Sequence, residues 1–465
     1  MDIEVGGESL MVTILGWINQ GPFVFALNVF INGGWIPVLI LVLYGFYYGW
    51  LNNRQGKYVR SLNLIFLAID VPKNNEQTPK AVEQIFAHMA GAWRRGTKWQ
   101  RYWEGYVQPW FTFEIISVEG YIQFLIGTPE KYRDLVEAAV YAQYPDAEIT
   151  QVEDYTKGFD VKTFFQTHDL WGTELALKNN QAYPIRTYPQ FEHVLSGEFL
   201  DPLGSFMEIL GRMGRGEQMW FQICVRPIDE SWKKNADALV RKLIGMKKAS
   251  TFTVTGGISQ ALQETFQEAF NQIGGGGSAE GGKKSDAPPS LMQHLSPGDR
   301  TAVEGIQLKI SKLGFQTKIR MIYLAHKDVM NKGKGVEGFM GSMRPFQSLD
   351  MNGLTVEKYT KTSAEYFFKK QRIRWRQEKL LRSYKYRSLW HGGTSFVLNT
   401  EELATLYHFP TPSVRAPLLK RTEAKRGEPP FAIPIVDREE TLRPQVTAKP
   451  VEAKEAAPTD LPIVD

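Results

Sequence analysis

A chain of 465 residues, 43% hydrophobic and 12% aromatic, has the material for two or three domains of ordinary size with packed cores. A net charge of +5 is too mild to name a polyanionic partner by itself. The single cysteine, Cys224, excludes an internal disulfide and any cysteine-built zinc site, and suits a reducing compartment.

Residues 1–34 read as an extracytoplasmic or interfacial segment, with Asn28, Asn32, Gly33 and Gly34 breaking any continuous helix. Residues 35–51 carry no charge and predict a transmembrane helix. At ~1.5 Å per residue it would be about 25 Å long, within the usual range for a single span. Trp35, Tyr47, Tyr48 and Trp50 stand near its ends, where amphipathic rings favour the headgroup layer. A cleaved signal peptide fits poorly, because no cation precedes the apolar run. Arg54 is the first Lys or Arg, and Lys57 and Arg60 follow, so charge asymmetry places the N-terminus outside and residues 52–465 in the cytoplasm.

Beyond the anchor the predicted order is strand, helix, strand, strand, helix, strand. LNLIFLAIDV (62–71) is an apolar, β-rich run; Thr78 and Pro79 open a helix with the stripe Val82, Ile85, Phe86, Met89 and Trp93. FTFEIISV (111–118) and YIQFLI (121–126) flank the hairpin signal Glu119-Gly120; Thr128-Pro129 starts the next helix, and AEITQV (147–152) closes the unit. Residues 60–157 are therefore expected to form a ferredoxin-like βαββαβ domain. A second such domain is expected over 180–361. Its strands would be AYPIRTY (182–188), 218–227, 315–325 and 353–359, with helices after Asp201-Pro202 and over 328–345. The two units end alike, VEDYTK (152–157) against VEKYTK (356–361), which supports a tandem repeat.

An insertion over 228–314 divides the second unit. It holds a helix (231–246), a helical stretch (258–272) and the glycine-rich run 274–290, a flexible linker by composition. That run nearly spells a phosphate loop, Gly277 to Gly282-Lys283, but Lys284 stands where Ser or Thr would hold magnesium and no strand precedes it. Residues 362–417 form a basic helix and a short subdomain, with a strand from 395 and a helix capped by Thr400. Residues 418–465 are expected to be a disordered tail carrying IPIVD (433–437) and LPIVD (461–465). These paired apolar patches fit strand-adding docking motifs or plain linker.

Catalytic signatures are missing. Seven dispersed histidines show no metal-ligand spacing, and Asp70 reads as a cap for the following loop. No catalytic residue, metal or cofactor is assigned. Two basic-aromatic clusters carry more. Trp93, Arg94, Arg95, Lys98, Trp99, Arg101, Trp103 and Trp110 lie between the first helix and second strand, at the end where the first strand leaves the anchor, and are expected at the bilayer surface. Lys369, Lys370, Arg372, Arg374, Trp375, Arg376, Lys379, Arg382, Lys385 and Arg387 form the second cluster. It suits phosphates and stacked bases, with Trp375, Tyr384 or Tyr386 free to stack, or an acidic protein partner, or a plain solvated face.

FLAIDVPKNNEQTPKAVEQIF (66–86), TPEKYRDLVEAAVYAQYPDAEI (128–149), DPLGSFMEILGRMGRGEQMWFQICVRP (201–227) and NTEELATLYHFPTPSVRAP (399–417) resemble a family of bacterial membrane-anchored proteins without a settled activity. That family resembles the pre-ATPase region of type IV secretion coupling proteins and FtsK/HerA-like DNA translocases. The resemblance implies a single-pass protein of the bacterial inner membrane. It would be a non-enzymatic assembly or coupling subunit beside a separate FtsK/HerA-like or coupling-protein-like ATPase, with lipids, DNA and further copies of the chain as partners. A membrane-tethered nucleic-acid-binding protein is the alternative.

Overall fold

The computed structural model describes residues 16–17, 21–31, 35–72, 75–159, 161–192, 199–244 and 296–411. The expected helical stretch 258–272, the linker 274–290 and the tail 418–465 with its two docking motifs lie outside the described residues.

Among the described residues, the apolar helices α1 (Pro22–Val29) and α2 (Trp35–Arg60) precede the first strand. At ~1.5 Å rise, the 26 residues of α2 span about 39 Å. It alone among the described residues is long and apolar enough to cross a membrane. None of its residues is buried against the rest of the chain, so it is no core helix.

The strands β1 (Leu64–Asp70), β2 (Phe111–Val118), β3 (Tyr121–Pro129) and β4 (Glu148–Val152) frame α3 (Pro79–Ala90) and α4 (Arg133–Gln143), as their periodicities predict. Glu119 and Gly120 both take positive φ, 54° and 90°, which closes the β2–β3 hairpin at Val118 and Tyr121. After α5 (Val161–Thr167) comes β5 (His168–Leu177), then α6 (Gly204–Gly211), β6 (Glu217–Pro227), α7 (Lys233–Leu243), α8 (Pro297–Ser311), β7 (Gly314–His326), α9 (Gly338–Ser342) and β8 (Leu354–Val356). α10 (Lys369–Lys385), β9 (Phe396–Asn399) and α11 (Thr400–Leu406) complete the order.

All nine strands among the described residues belong to one antiparallel sheet, ordered β4-β1-β3-β2-β6-β7-β5-β8, with β9 beside the start of β7. Two separate domains in tandem are thus corrected to a mixed α+β architecture on a single sheet. β2 and β6 pair from Phe111↔Val225 to Val118↔Gln218, so no solvent-filled boundary divides the halves. Counted outward from this seam, each half runs second, third, first and fourth strand.

The expected strand 182–188 is not one. Its amides find side-chain acceptors on α11 instead: Ile185 N donates to Glu402 Oε1 at 2.9 Å and Tyr188 N to Thr405 Oγ1 at 2.9 Å. The strand belonging in that place is β5, where Gly172 lets α10 and β7 close in; a Cβ there would stand 2.7 Å from Leu380 Cδ2 and 2.8 Å from Met321 O. The expected helix 328–345 breaks into a π turn at Gly333–Glu337 followed by α9, and Gly335 sits against the Tyr323 ring. α11 is capped by Asn399, not Thr400. Its carboxamide accepts from Glu402 N at 2.8 Å while Glu402 Oε2 accepts from Asn399 N at 3.0 Å, a reciprocal box.

Helices cover both faces. α3, α4, α6, α9 and α11 bury Phe86, Phe113, Phe206, Phe221 and Tyr407 on one side. α5 and α10 bury Phe165, Trp220, Ile322, Leu381 and Tyr384 on the other. α7 and α8, the described ends of the insertion, pack on each other through Ala236, Val240, Val303 and Ile306.

Candidate membrane-proximal interface

The loop 93–110 packs against the last turns of α2. Trp50 of α2 packs on Trp103 at 5.4 Å, Trp103 stacks on Trp99 at 5.2 Å, and the Arg54 guanidinium lies 5.5 Å over the Trp50 ring. One turn on, Tyr58 meets Tyr106 edge-on at 5.4 Å. The loop makes a π turn at Gln100–Glu104 and reverses at Gly105, with φ 77°. Only glycine fits there: a Cβ would fall 2.5 Å from the Arg54 carbonyl carbon. Gln108 ties the base of the loop, accepting from Arg94 N at 3.0 Å and donating to Ala92 O at 3.0 Å.

Trp93, Arg94, Arg95, Lys98, Trp99 and Trp103 are exposed, and Arg101 is half-buried. Trp110 departs from expectation. It is 5% exposed and turned inward with Cys224 and Leu389, edge-on to Trp390 at 5.1 Å, so it cannot reach a bilayer.

On the face covered by α10, a polar row crosses four strands in register: Glu114 on β2, Gln222 on β6, Arg320 on β7 and Glu174 on β5. Gln222 Nε2 donates to Glu114 Oε1 at 2.9 Å; Arg320 donates to Gln222 Oε1 at 3.1 Å and to Glu174 Oε1 at 2.9 Å. Arg387, just past α10, joins the row from outside the sheet. Its guanidinium donates to Glu114 Oε1 at 3.2 Å and to both Asp154 oxygens, at 2.5 and 2.9 Å. Tyr155 and Tyr384 share a 2.8 Å hydrogen bond, and Tyr155 also donates to Glu114 Oε2 at 2.8 Å. Arg320 further donates to the carbonyls of Ser388 and His391, and Gly393 N donates to Glu174 Oε2 at 2.5 Å. The segment 384–393 is thereby fastened to the sheet by buried charges. Burial raises the Asp154 carboxyl, but the Arg387 contact outweighs it and holds that carboxyl below its usual range. Burial pushes the Cys224 thiol up to about 12, so it stays protonated and inert.

α10 sorts the second cluster. Lys369, Lys370 and Arg372 are exposed on its first turn. Arg374 donates to Glu378 at 2.8 Å and lies over Phe165; Arg376 donates to the carbonyls of Lys361 and Ser363. Lys379 covers Trp375 at 4.8 Å, Arg382 stands 3.6 Å from Glu378, and Lys385 donates to Phe159 O at 3.2 Å. Arg387 is buried and doubly paired, so it leaves the cluster, as does Tyr384, whose ring is fully enclosed. Trp375 and Tyr386 remain exposed, and Tyr366, Phe367 and Phe368 extend the aromatic surface at the helix start.

Several buried groups gave no sequence signal. Lys309 and Glu402 form a fully enclosed ion pair at 3.0 Å, and Asp201 accepts from His408 at 3.0 Å. Outside the core, the half-buried His168 and the exposed His326, paired across β5 and β7, have ring centroids 4.0 Å apart. Among the described residues no three His, Cys, Asp or Glu side chains converge as a metal site would need. The model of a domain of unknown function, DUF8128, matches residues 68–421. No curated protein matches the chain.

Proposed function

This chain belongs to the DUF8128 family, and on that premise we propose that it is a membrane-anchored, non-enzymatic adaptor. α2 spans the bacterial inner membrane with the N-terminus outside, and the sheet is held beneath the cytoplasmic leaflet. The observation carrying this reading is the Trp50–Trp103–Trp99 stack with Arg54. It joins an unburied apolar helix to a loop that is itself exposed, aromatic and cationic, a pairing that belongs at a lipid headgroup layer. The matching strand order of the two halves supports a duplicated ferredoxin-like unit fused along β2 and β6.

The resemblance to pre-ATPase regions of type IV secretion coupling proteins and FtsK/HerA-like translocases supports a coupling or assembly role beside a separate ATPase. Cross-linking in native membranes tests it: a motor protein among the products is expected, and its absence overturns the coupling role. Resistance of the full chain to alkaline carbonate tests the anchor. Replacing Arg94, Arg95, Lys98 and Arg101 by Gln is expected to weaken binding of an anchor-free chain to anionic vesicles. At about 1 kcal/mol per cation near the surface, a large drop follows.

A second reading, a tethered nucleic-acid-binding protein, is favoured by the exposed Lys369, Lys370 and Arg372 beside Phe367, Phe368 and Trp375. It requires DNA binding that weakens steeply with salt.

A further inference from the structure

Two hollows lie along the last turns of α2. One, of about 480 Å³, begins at Asn52, the first residue after the apolar run, and follows Gln55 and Gly56 down the helix toward Trp390. The other, of about 800 Å³, continues past Arg60 to Lys157 and Lys385. Val59, Arg60, Trp110 and Tyr386 line both, so the two are one continuous cleft. It runs from the end of the apolar helix to a group of three cations. Trp110, 5% exposed, forms part of the wall the two hollows share.

We propose that this cleft holds one anionic phospholipid. Its glycerol and upper acyl carbons lie against Val59, Trp110 and Trp390, and its phosphodiester lies among Arg60, Lys157 and Lys385. Continuity with the apolar helix gives the entry route, since a lipid descends along the same surface that α2 shows to hydrocarbon. Charge selects the headgroup. Among the residues lining the larger hollow, Arg60, Lys157, Lys385 and Arg387 stand against Glu130, Glu153 and Asp154. One further negative charge balances the cleft, and a multiply charged phosphate would be repelled by the glutamates. The site deepens the anchoring reading and rests on α2 lying in a bilayer.

The test uses the full-length protein in detergent and native mass spectrometry with dihexanoylphosphatidylglycerol, a lipid soluble as monomers. One retained molecule per chain is expected, with dihexanoylphosphatidylcholine bound far more weakly and inorganic phosphate failing to displace it. Lys157→Gln combined with Lys385→Gln should weaken retention about tenfold or more. Lys234→Gln with Arg241→Gln, exposed on α7 and lining neither hollow, should leave it unchanged. Val59→Trp fills the hollow without altering a charge and should abolish retention. Equal binding of phosphatidylcholine, displacement by phosphate, or an unaffected Lys157/Lys385 variant overturns the site. Because the probe needs no bilayer, release of the chain by carbonate overturns the anchor alone.

Discussion

Arg387 is held by two carboxylates at once, Glu114 and Asp154, with its guanidinium also 4.2 Å over the Phe66 ring. Removing one member of a buried pair leaves the other charge uncompensated, which costs about 3–5 kcal/mol. Arg387→Leu is therefore expected to lower the denaturant midpoint sharply while the slope stays near wild type. Asp154 gives the same network a pH signature. Its folded pKa lies below its ordinary 3.8, so its contribution is present above that value and is lost as pH falls through the lower folded value. The stability gap between wild type and Asp154→Asn should be full at neutral pH and close progressively below about pH 4. None of this was legible residue by residue. Glu114, Gln222, Arg320 and Glu174 each look like the solvent-facing member of an alternating strand. Only a register joining four strands, the outermost two sixty residues apart in sequence and the inner two nearly a hundred, lines them up beneath α10.

The loop 93–110 was legible as an element because its tryptophans and cations are clustered and the route from anchor to first strand is short. Its inward end was not, since Trp110 reads like its neighbours until β2 turns it toward Cys224 and Leu389. Contact with α2 hinges on Gly105, which combines positive φ with backbone touching backbone. Gly105→Ala should pry the loop from the helix, appearing as faster tryptic cleavage at Arg101 and a changed Trp fluorescence maximum, with the sheet still folded. β5 escaped notice for a related reason. Gly172, Glu174 and Asp169 break its apolar pattern, and each is explained only by a partner elsewhere: Leu380 for the glycine, Arg320 and Gln377 for the acids. The second-unit helix that failed, 328–345, failed at its glycines, where propensity is poorest.

At the scale of the whole molecule, the first four strands and their order followed from alternation, turn chemistry and helix caps. The fusion of the two halves did not, because an edge strand and a seam strand carry the same sequence pattern. The eight pairs from Phe111↔Val225 to Val118↔Gln218 make the halves interdependent. A fragment of residues 60–158 should expose the full edge of β2 and self-associate in light scattering; a stable monomer would count against a structural seam. The fastening of residues 384–393 also governs how a visitor is received. α10 cannot swing out on its own, since lifting it with residues 384–393 would leave Glu114 without Arg387 and deprive Arg320 and Glu174 of the Ser388 carbonyl and the Gly393 amide. Whatever binds there encounters a finished relief instead of a tail that folds on arrival, so recognition proceeds without an ordering penalty and depends on matching contour.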